Sequence, residues 1–292
     1  MQYKGTDYQN DGISFHKSLY LQGGRALVMT SAINSVAAQP CVTTLYQEIL
    51  APASALGETP AAGPELTAPS GLRLTLLNAG AAAATLHATT RHQTWRTASL
   101  QNLKPGIIQS PLLSLLGFKN QPSPGKARPT MATMLQDFVP GEGDFAVAYV
   151  DHGVKPHDAS CAYAMSTRAG PMALEVKRLD SDAHGAYDAA TQTWIYASFK
   201  PDTAWQACGP LRQLGRPTSL IVRHIDGHRL ELIASSWDEA DQRPYTLSLS
   251  GRWKLLQGGA SAQVTEEATQ LSLPCRGDQG CTVILEALEN HP

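Results

Sequence analysis

The sequence predicts an all-β fold, in which a large antiparallel β-sandwich (a super-sandwich) is followed by a smaller C-terminal antiparallel β-sandwich. Three observations predict it. Short apolar runs with a two-residue alternation recur along the chain, turn-forming residues separate them, and helical periodicity is almost absent. With 292 residues the chain can form one large β-domain or two smaller ones, each with a core. We expect the large sandwich to span residues 1–190 and the small one residues 191–292.

The charge composition of the chain as a whole does not favour binding to a highly charged partner. Charged residues make up 16% of the sequence, against a usual level of about 25%, and the formal net charge is −2. Such a chain has no overall attraction for nucleic acid or anionic lipid, so we expect neither nucleic acid nor membrane as a partner. No apolar stretch approaches the roughly 18–20 residues of a membrane span. The polar opening is unlike a signal peptide, and we expect the native protein to continue upstream of residue 1.

The five cysteines are scattered, which is typical neither of a zinc cluster nor of a disulfide framework. Cys275 and Cys281 are the exception, because together they would close a small loop between two strands. The sequence leaves two interpretations open, a disulfide or two unpaired thiols. An oxidised pair favours the periplasm or the cell exterior. We expect a secreted or periplasmic protein.

Three strands are predicted near the start of the chain, over Ile13–Gln22, Arg25–Ile33 and Val42–Ile49. Gly23-Gly24 between the first two suits a two-residue hairpin turn, because glycine adopts positive φ without steric cost. The alternation of apolar and polar side chains in the first strand indicates one packed face and one partly wet face.

Proline, alanine and glycine dominate the next region. Ala51–Gly71 is predicted to be a long surface excursion, and strand character resumes over Leu72–Asn78 and Ala84–Thr94. The stretch Pro105–Pro129 is rich in proline around the short apolar run Leu112–Phe118, for which we expect one helical turn.

The centre of the sequence predicts a strand, a corner and a second strand. The apolar runs Phe145–Val150 and Cys161–Met165 flank the polar connection Asp151–Pro156. Gly153 allows positive φ, and Pro156 fixes its own φ and lacks an N–H, so the chain is expected to reverse here.

The remaining chain alternates strands and turns. Asp180–Gly185 is predicted to be a polar turn, and Asp226-Gly227 to be the turn of a hairpin. The predicted strands are Met172–Leu179, Trp194–Phe199, Thr218–Ile225, Arg229–Ser236, Tyr245–Leu249, Arg252–Leu256, Gln263–Leu273 and Thr282–Leu288.

Two segments resemble a known family. The corner reads D-H-G-x-x-P, then D-A-S and a strand with C-A-Y; the first hairpin reads H-K-S-L-Y-L-Q-G-G-R-A-L-V-M-T-S, and Thr43–Gln47 reads T-T-L-Y-Q. They resemble the β-sandwich of bacterial chondroitin and hyaluronate lyases, polysaccharide lyase family 8. Leu19 departs from the family's tryptophan, and Met29-Thr30 from its Leu-Gly pair. The resemblance covers Ser14–Gln47 and Gly143–Met165, and the C-terminal tail loosely.

The resemblance implies the C-terminal β-region of a glycosaminoglycan lyase that cleaves by β-elimination. The implied partners are an acidic polysaccharide (chondroitin sulfate or hyaluronan) and an N-terminal helical toroid whose substrate cleft this region supports. Because the family's catalytic residues lie mostly on that toroid, no catalytic residue can be assigned here, and we expect the isolated chain to be inactive. No metal or other cofactor is expected. Two alternatives remain: a stand-alone carbohydrate-binding or interaction module, and an unrelated all-β secreted or adhesin domain.

One cluster is the candidate for substrate binding. It combines an aromatic ring with basic groups, and its members are Arg91, His92, Trp95 and Arg96. A ring can stack on a sugar while guanidinium groups pair with sulfate or carboxylate. The alternative is a strand end with a half-buried tryptophan and solvated arginines. Lys17 and Arg25 are candidates to line the same side.

His152 follows Asp151 and suggests an oriented base, but adjacent residues at a strand end point to opposite faces. We therefore expect His152 to be a structural residue of the corner, hydrogen-bonded to nearby backbone, and we expect the same of His157 and Asp158. Glu48 is expected to be a solvated residue at a strand end.

Overall fold

The computed structural model describes residues 12–49, 59–60, 64–68, 70–77, 86–94, 142–168, 173–235, 244–275 and 280–288. All regular structure in these ranges is β-strand, which confirms the all-β prediction. The strands are β1 Ser14–Gln22, β2 Arg25–Asn34, β3 Pro40–Ile49, β4 Thr59–Pro60, β5 Glu65–Thr67, β6 Arg73–Leu76, β7 Leu86–Thr94, β8 Glu142–Val154, β9 Ala159–Ser166, β10 Leu174–Leu179, β11 Ala183–Asp188, β12 Thr193–Ser198, β13 Thr203–Ala204, β14 Leu211–Leu214, β15 Thr218–His224, β16 Arg229–Ser235, β17 Tyr245–Ser250, β18 Trp253–Gln257, β19 Ser261–Val264, β20 Ala268–Leu273 and β21 Cys281–Ala287.

The chain divides into two compact units. The first comprises Met1–Leu45, Thr59–Ala88 and Ala148–Pro292, and the second comprises Tyr46–Glu58 and Thr89–Val147. The boundary predicted between residues 190 and 191 falls in the turn between β11 and β12, which pair with each other. The division of the chain into residues 1–190 and 191–292 stays a prediction.

The first sheet has the order β1-β2-β9-β6-β5. The predicted hairpin is present: Gln22 pairs with Arg25, and Gly23 and Gly24 adopt φ values of 56° and 78°. β2 then pairs with β9, placing Leu27 opposite Ala164. The first hairpin and the strand after the corner, which both carry part of the family resemblance, are therefore neighbours in one sheet, although more than a hundred residues separate β2 from β9 in the sequence. The corner itself and Thr43–Gln47 lie on β8 and β3.

The second sheet has seven strands in the order β10-β11-β12-β15-β16-β21-β18. One of its faces packs on the first sheet through a core of Leu27, Met29, Ala162, Ala164, Leu174, Ala186 and Ile195. Because side chains alternate along a strand, Ile195 faces this core while the next residue, Tyr196, faces the other side. The seven-stranded sheet is thus apolar on both faces.

The third sheet, β13-β14-β17-β20-β19, covers that other side. The core between the two sheets joins Leu220 and Val222 of β15 to Leu247 and Leu249 of β17, all at most 4% exposed. At its edge the phenol of Tyr196 donates a hydrogen bond to the carbonyl of Cys208, at 2.7 Å. These layers are the stacked antiparallel sandwiches that the sequence predicted.

The fourth sheet has the order β3-β8-β7-β4 and contains the central corner. β8 continues to Val154, four residues beyond the predicted strand end, so the chain reverses later than expected. Gly153 has φ of 78°, and the reversal uses positive φ at Lys155 and Asp158. Asp151 accepts a hydrogen bond from the Gly153 N–H at 2.8 Å, a local contact typical of a turn, so the bend begins within the end of β8.

Several local predictions were wrong. The turn predicted over Asp180–Gly185 is shorter and comprises Asp180–Asp182, while Ala183–Gly185 begin the buried strand β11. The turn ends early because the Asp180 carboxylate accepts hydrogen bonds from the N–H groups of Asp182 and Ala183. The strand predicted over Gln263–Leu273 is two strands, β19 and β20, with a turn around Thr265.

The sequence also missed short strands. β4 and β5 lie within the predicted excursion Ala51–Gly71, and β13 and β14 follow Lys200. These strands have only two to four residues, too few to show an alternation. The helical turn expected over Leu112–Phe118 lies outside the described residues.

Candidate functional site

The predicted substrate-binding cluster stays a prediction. Arg91 and His92 lie on β7, but their side chains are outside the described part of the structure, and so are Trp95 and Arg96 altogether. The described residues offer a different candidate at the first hairpin.

An open groove of about 480 Å³ surrounds the hairpin turn. We call it the turn groove; it is lined by Leu21–Ala26, Leu72 and Met165–Thr167. Leu21 is 67% exposed, so the groove has an accessible apolar wall. Leu72, the residue before β6, and Met165 on β9 extend this wall.

Arg168 lies across the glycine turn. The Thr167 N–H donates to the Gly24 carbonyl at 3.2 Å, and the Arg168 N–H donates to the Ser166 hydroxyl at 3.0 Å, so the backbone after β9 follows the turn. A Cβ atom on Gly24 would lie 3.4 Å from Nε of Arg168 and 3.2 Å from the Thr167 hydroxyl. Glycine is therefore favoured at position 24 for two reasons: it adopts the positive φ of the turn, and it has no Cβ atom to crowd the Arg168 side chain that passes over it.

Arg25, on the other side of the turn, is already neutralised. Its guanidinium lies 2.9 Å from the Asp188 carboxylate, whose side chain is 1% exposed. Asp188 also accepts the Ala190 N–H at 3.0 Å, so the ion pair fixes the first sheet to the start of the β11–β12 turn. Arg168 is an exposed basic residue next to the turn.

Lys17 and Arg25 do not line the same side of the sheet. Lys17 pairs with Thr30, and Thr30 lies five residues from Arg25 on the same strand. An odd separation along a strand places two side chains on opposite faces, so the expectation that they act together was wrong.

A chain of hydroxyl and amide groups adjoins the hairpin, and Gln22 is its only member that lines the turn groove. The Tyr20 phenol donates to Oε1 of Gln22, and the Thr191 hydroxyl donates to the same oxygen at 3.5 Å. Burial, followed by the charge of Asp188, raises the pKa of Tyr20, whereas Arg25 lowers it. The phenol therefore stays protonated and acts as a donor.

His152 has a structural role. Its Nε2 atom lies 2.8 Å from the hydroxyl of Thr43, which joins β8 to β3; the partner is a side chain and not the backbone that the sequence suggested. Asp151 is turned to the Gly153 N–H and does not orient the imidazole. Burial lowers the pKa of His152, while Asp151 raises it.

His184 is a polar residue whose role the sequence did not reveal. It is fully buried, with Nδ1 2.8 Å from the Ser18 hydroxyl and Nε2 2.8 Å from the Ser31 hydroxyl. Its ring packs edge-on against Phe199, 4.7 Å between centroids. Burial, then the nearby charge of His16, lowers the pKa of His184 to about 3. The neutral imidazole thus holds the first two sheets together, and it has no access to a substrate.

The described ranges contain no group of three or more His, Cys, Asp or Glu side chains arranged to hold an ion. They also contain no helix long and apolar enough to cross a bilayer.

Comparison with known proteins identifies the fold. No protein-family model matches the sequence, and no curated protein matches it. Solved structures do match. A xanthan lyase from Paenibacillus shares 12% identity at a TM-score of 0.67, with 99% of this chain and 27% of that chain covered.

Two chondroitin lyase structures match as well. The Streptomyces coelicolor A3 chondroitin AC lyase, solved in complex with chondroitin sulphate, shares 10% identity at a TM-score of 0.63, with 96% of this chain and 33% of that chain covered. A chondroitinase AC lyase solved with oligosaccharides shares 16% identity at a TM-score of 0.62, with 94% and 36% covered. The chain thus spans about a third of the length of the lyases it matches. Its fold is that of a polysaccharide lyase β-region.

Proposed function

We propose that this chain is the β-region of a glycosaminoglycan lyase of the chondroitin or hyaluronan type, and that it forms one wall of the substrate cleft of an N-terminal helical toroid. The observation that supports this most is the share of this chain that matches the fold of lyase structures. The fold of three lyase structures extends over 94–99% of the chain, and one of those lyases was solved with chondroitin sulphate bound.

The reaction requires groups that we assign to the toroid. β-Elimination needs donors that stabilise the uronate carboxylate, a base that removes the C5 proton, and an acid that protonates the leaving oxygen. Neither described histidine with a lowered pKa suits the role of base. His184 is buried with both ring nitrogens engaged, and His152 is bound to Thr43. This chain would therefore contribute binding and stiffness to the enzyme.

The turn groove supports an acidic polysaccharide as the partner. The exposed guanidinium of Arg168 can form paired hydrogen bonds with a carboxylate or a sulfate, and the apolar wall at Leu21 can pack on the less polar face of a sugar ring. The predicted cluster of Arg91, His92, Trp95 and Arg96 would add a second contact of the same chemistry.

The disulfide supports secretion. Cys275 and Cys281 are bonded, with their Cα atoms 5.4 Å apart, so the first of the two interpretations from the sequence is the one observed. Disulfides persist in oxidising compartments. We propose that the protein is secreted or periplasmic.

One assay tests the proposal. Chondroitin sulfate and hyaluronan are incubated with this chain, with the toroid that the proposal places before it, and with both, and the absorbance of unsaturated uronate is followed. We expect no product from the chain alone and a faster rate from the pair than from the toroid. Product from the chain alone, or no effect of the chain on the toroid, would contradict the proposal. Binding of the glycan that the toroid does not influence would favour the alternative of a stand-alone carbohydrate-binding module.

A further inference from the structure

The outer face of the third sheet forms a second groove, of about 330 Å³. It lies over β14, β17, β20 and β19, and side chains with amide or hydroxyl groups line it. We call it the amide groove. It is remote in sequence from the two segments that carry most of the lyase resemblance, Ser14–Gln47 and Gly143–Met165.

Strand register places these side chains in rows. In one row Gln213 pairs with Ser248, Ser248 with Gln270, and Gln270 with Gln263, so four uncharged polar side chains cross four strands side by side. Neighbouring strands lie roughly 4.8 Å apart, so the row is about 14 Å long. The three glutamines are exposed, which leaves their amides directed to solvent.

A second row runs beside the first. Thr246 pairs with Ser272, and Ser272 with Ser261. At its end the Gly215 N–H donates to the Thr246 carbonyl at 2.9 Å, and a Cβ atom on residue 215 would lie 2.2 Å from the Thr246 hydroxyl. Glycine at this position therefore keeps the row of hydroxyls open.

The absence of cations separates this face from an ordinary solvated sheet surface. The exposed part of the seven-stranded sheet carries cross-strand ion pairs, Arg223 with Glu231 at 2.6 Å and Lys254 with Glu286 at 3.8 Å. The residues that line the amide groove include no lysine or arginine, and their one charged member is Asp202.

Two arginines adjoin lining residues in sequence but are not among the residues that line the groove. Arg216 is buried, with its guanidinium carbon 3.8 Å from the centre of the Tyr245 ring. Arg212 is exposed, and its guanidinium lies 3.9 Å from the Glu267 carboxylate. The groove therefore offers a ligand many neutral donors and acceptors and a weakly negative edge.

We propose that the amide groove binds a neutral, hydroxyl-rich polysaccharide. Amides and hydroxyls both donate and accept, which matches the hydroxyl groups of a pyranose chain, and the length of the row suits more than one sugar ring. An acidic polysaccharide would need cations here and would be repelled by Asp202. A protein partner would need an exposed apolar centre, whereas Leu247 and Leu271 in the groove are 4% and 2% exposed. The site is independent of the proposed lyase function, because it serves a different glycan.

Native affinity electrophoresis tests this proposal. The chain is run through gels that contain hydroxyethyl cellulose, galactomannan, dextran or chondroitin sulfate, and its retardation is compared with that in a plain gel. We expect retardation by at least one neutral polysaccharide. The double variant Gln213→Ala/Gln270→Ala should weaken that binding about tenfold, since each lost hydrogen bond changes affinity severalfold.

Matched variants make the result decisive. Gln257→Ala removes an exposed glutamine from β18 in another sheet and should leave binding unchanged. Gln270→Glu keeps the side-chain shape and should also weaken binding, so a folding defect of the double variant would not hide the outcome. No retardation by any neutral polysaccharide, or equal retardation of all variants, would overturn the proposal. Retardation by chondroitin sulfate that the glutamine variants leave unchanged bears only on the lyase proposal. If the glutamine variants abolish that retardation, the amide groove binds acidic glycans and the inference is wrong.

Discussion

The turn groove and the amide groove are built differently on one all-β scaffold. The turn groove gathers residues around two glycines, with the apolar Leu21 in its wall and the exposed Arg168 next to the turn. The amide groove uses strand register alone and presents rows of neutral side chains such as Gln270. Under the two proposals, the charge of the side chains, and not the sheet architecture, decides which polysaccharide each surface binds.

The two grooves also differ in the interactions that stabilise them. The turn groove depends on a buried ion pair between Arg25 and Asp188, which lie on different sheets. The amide groove is held by regular pairing of β17 and β20 and by the apolar side chains beneath them. Substitutions should therefore affect stability strongly at the first site and weakly at the second.

The largest effect is expected from Asp188→Ala. It leaves the guanidinium of Arg25, whose side chain is 19% exposed, without its partner, and breaking a buried pair on one side costs about 3 kcal/mol of unfolding free energy. Urea denaturation measures this. Glu286→Ala breaks the exposed pair with Lys254 and should cost less than about 0.5 kcal/mol. Equal losses for the two variants would show that the turn groove has no special anchor.

The next largest effect concerns pH and the contact between the first two sheets. The pKa of His184 is about 3 in the folded protein and about 6.5 in the unfolded chain. The unfolded state therefore binds more protons between these values, and stability is lost as the pH falls through 6.5. The expected loss is roughly 2 kcal/mol between pH 7 and pH 5.

His184→Gln separates this contribution from that of other groups. Glutamine cannot titrate but can still bond Ser18 and Ser31, so the variant should lose less stability than the parent over the same pH range. Urea denaturation at each pH provides the comparison, with His16 and Asp180, the charged groups next to His184, unchanged in both proteins. Parallel pH profiles would mean that His184 is not held neutral.

A smaller effect is expected for glycan binding at the turn groove. Arg168→Ala should weaken chondroitin sulfate binding about fivefold, because an exposed charge-assisted contact contributes about 1 kcal/mol. Added salt should reduce the difference, since screening weakens exposed charges. Isothermal titration measures both effects. Arg252→Ala, an exposed arginine in the turn before β18, is the control and should bind as the parent does. If both variants lose affinity equally, binding depends on the total charge of the protein and not on a site at the turn groove.

The smallest effect should come from making the amide groove resemble the turn groove. Gln270→Arg adds an exposed cation to the neutral rows, which should raise chondroitin sulfate affinity about twofold and weaken binding of a neutral polysaccharide. Titration with each glycan measures the exchange. An unchanged preference would argue that charge does not distinguish the two surfaces.

Local patterns predicted much of the fold. Alternation and glycine identified β1 and β2 with the turn at Gly23-Gly24, and Asp226-Gly227 identified the β15–β16 hairpin. Those signals are complete within about twenty residues of sequence. β11 gave no such signal, because Ala183, His184 and Gly185 resemble a turn until Ser18 and Ser31 enclose the histidine.

The candidate sites could not be predicted in the same way. The turn groove needs Arg168 to pass over Gly24, and this follows from the pairing of β2 with β9, whose residues are far apart in sequence. The amide groove needs Gln213, Ser248 and Gln270 to fall in one row, yet each alone is an ordinary polar residue at the surface. Only register between distant strands creates either site.

Hydrogen exchange with and without chondroitin sulfate tests whether the two grooves bind different glycans. We expect slowed exchange in Gly23–Arg25 and Ser166–Arg168, with no change in β17 and β20, and the reverse with a neutral polysaccharide that binds. Protection of β17 and β20 by chondroitin sulfate, or of neither region by any glycan, would contradict this account.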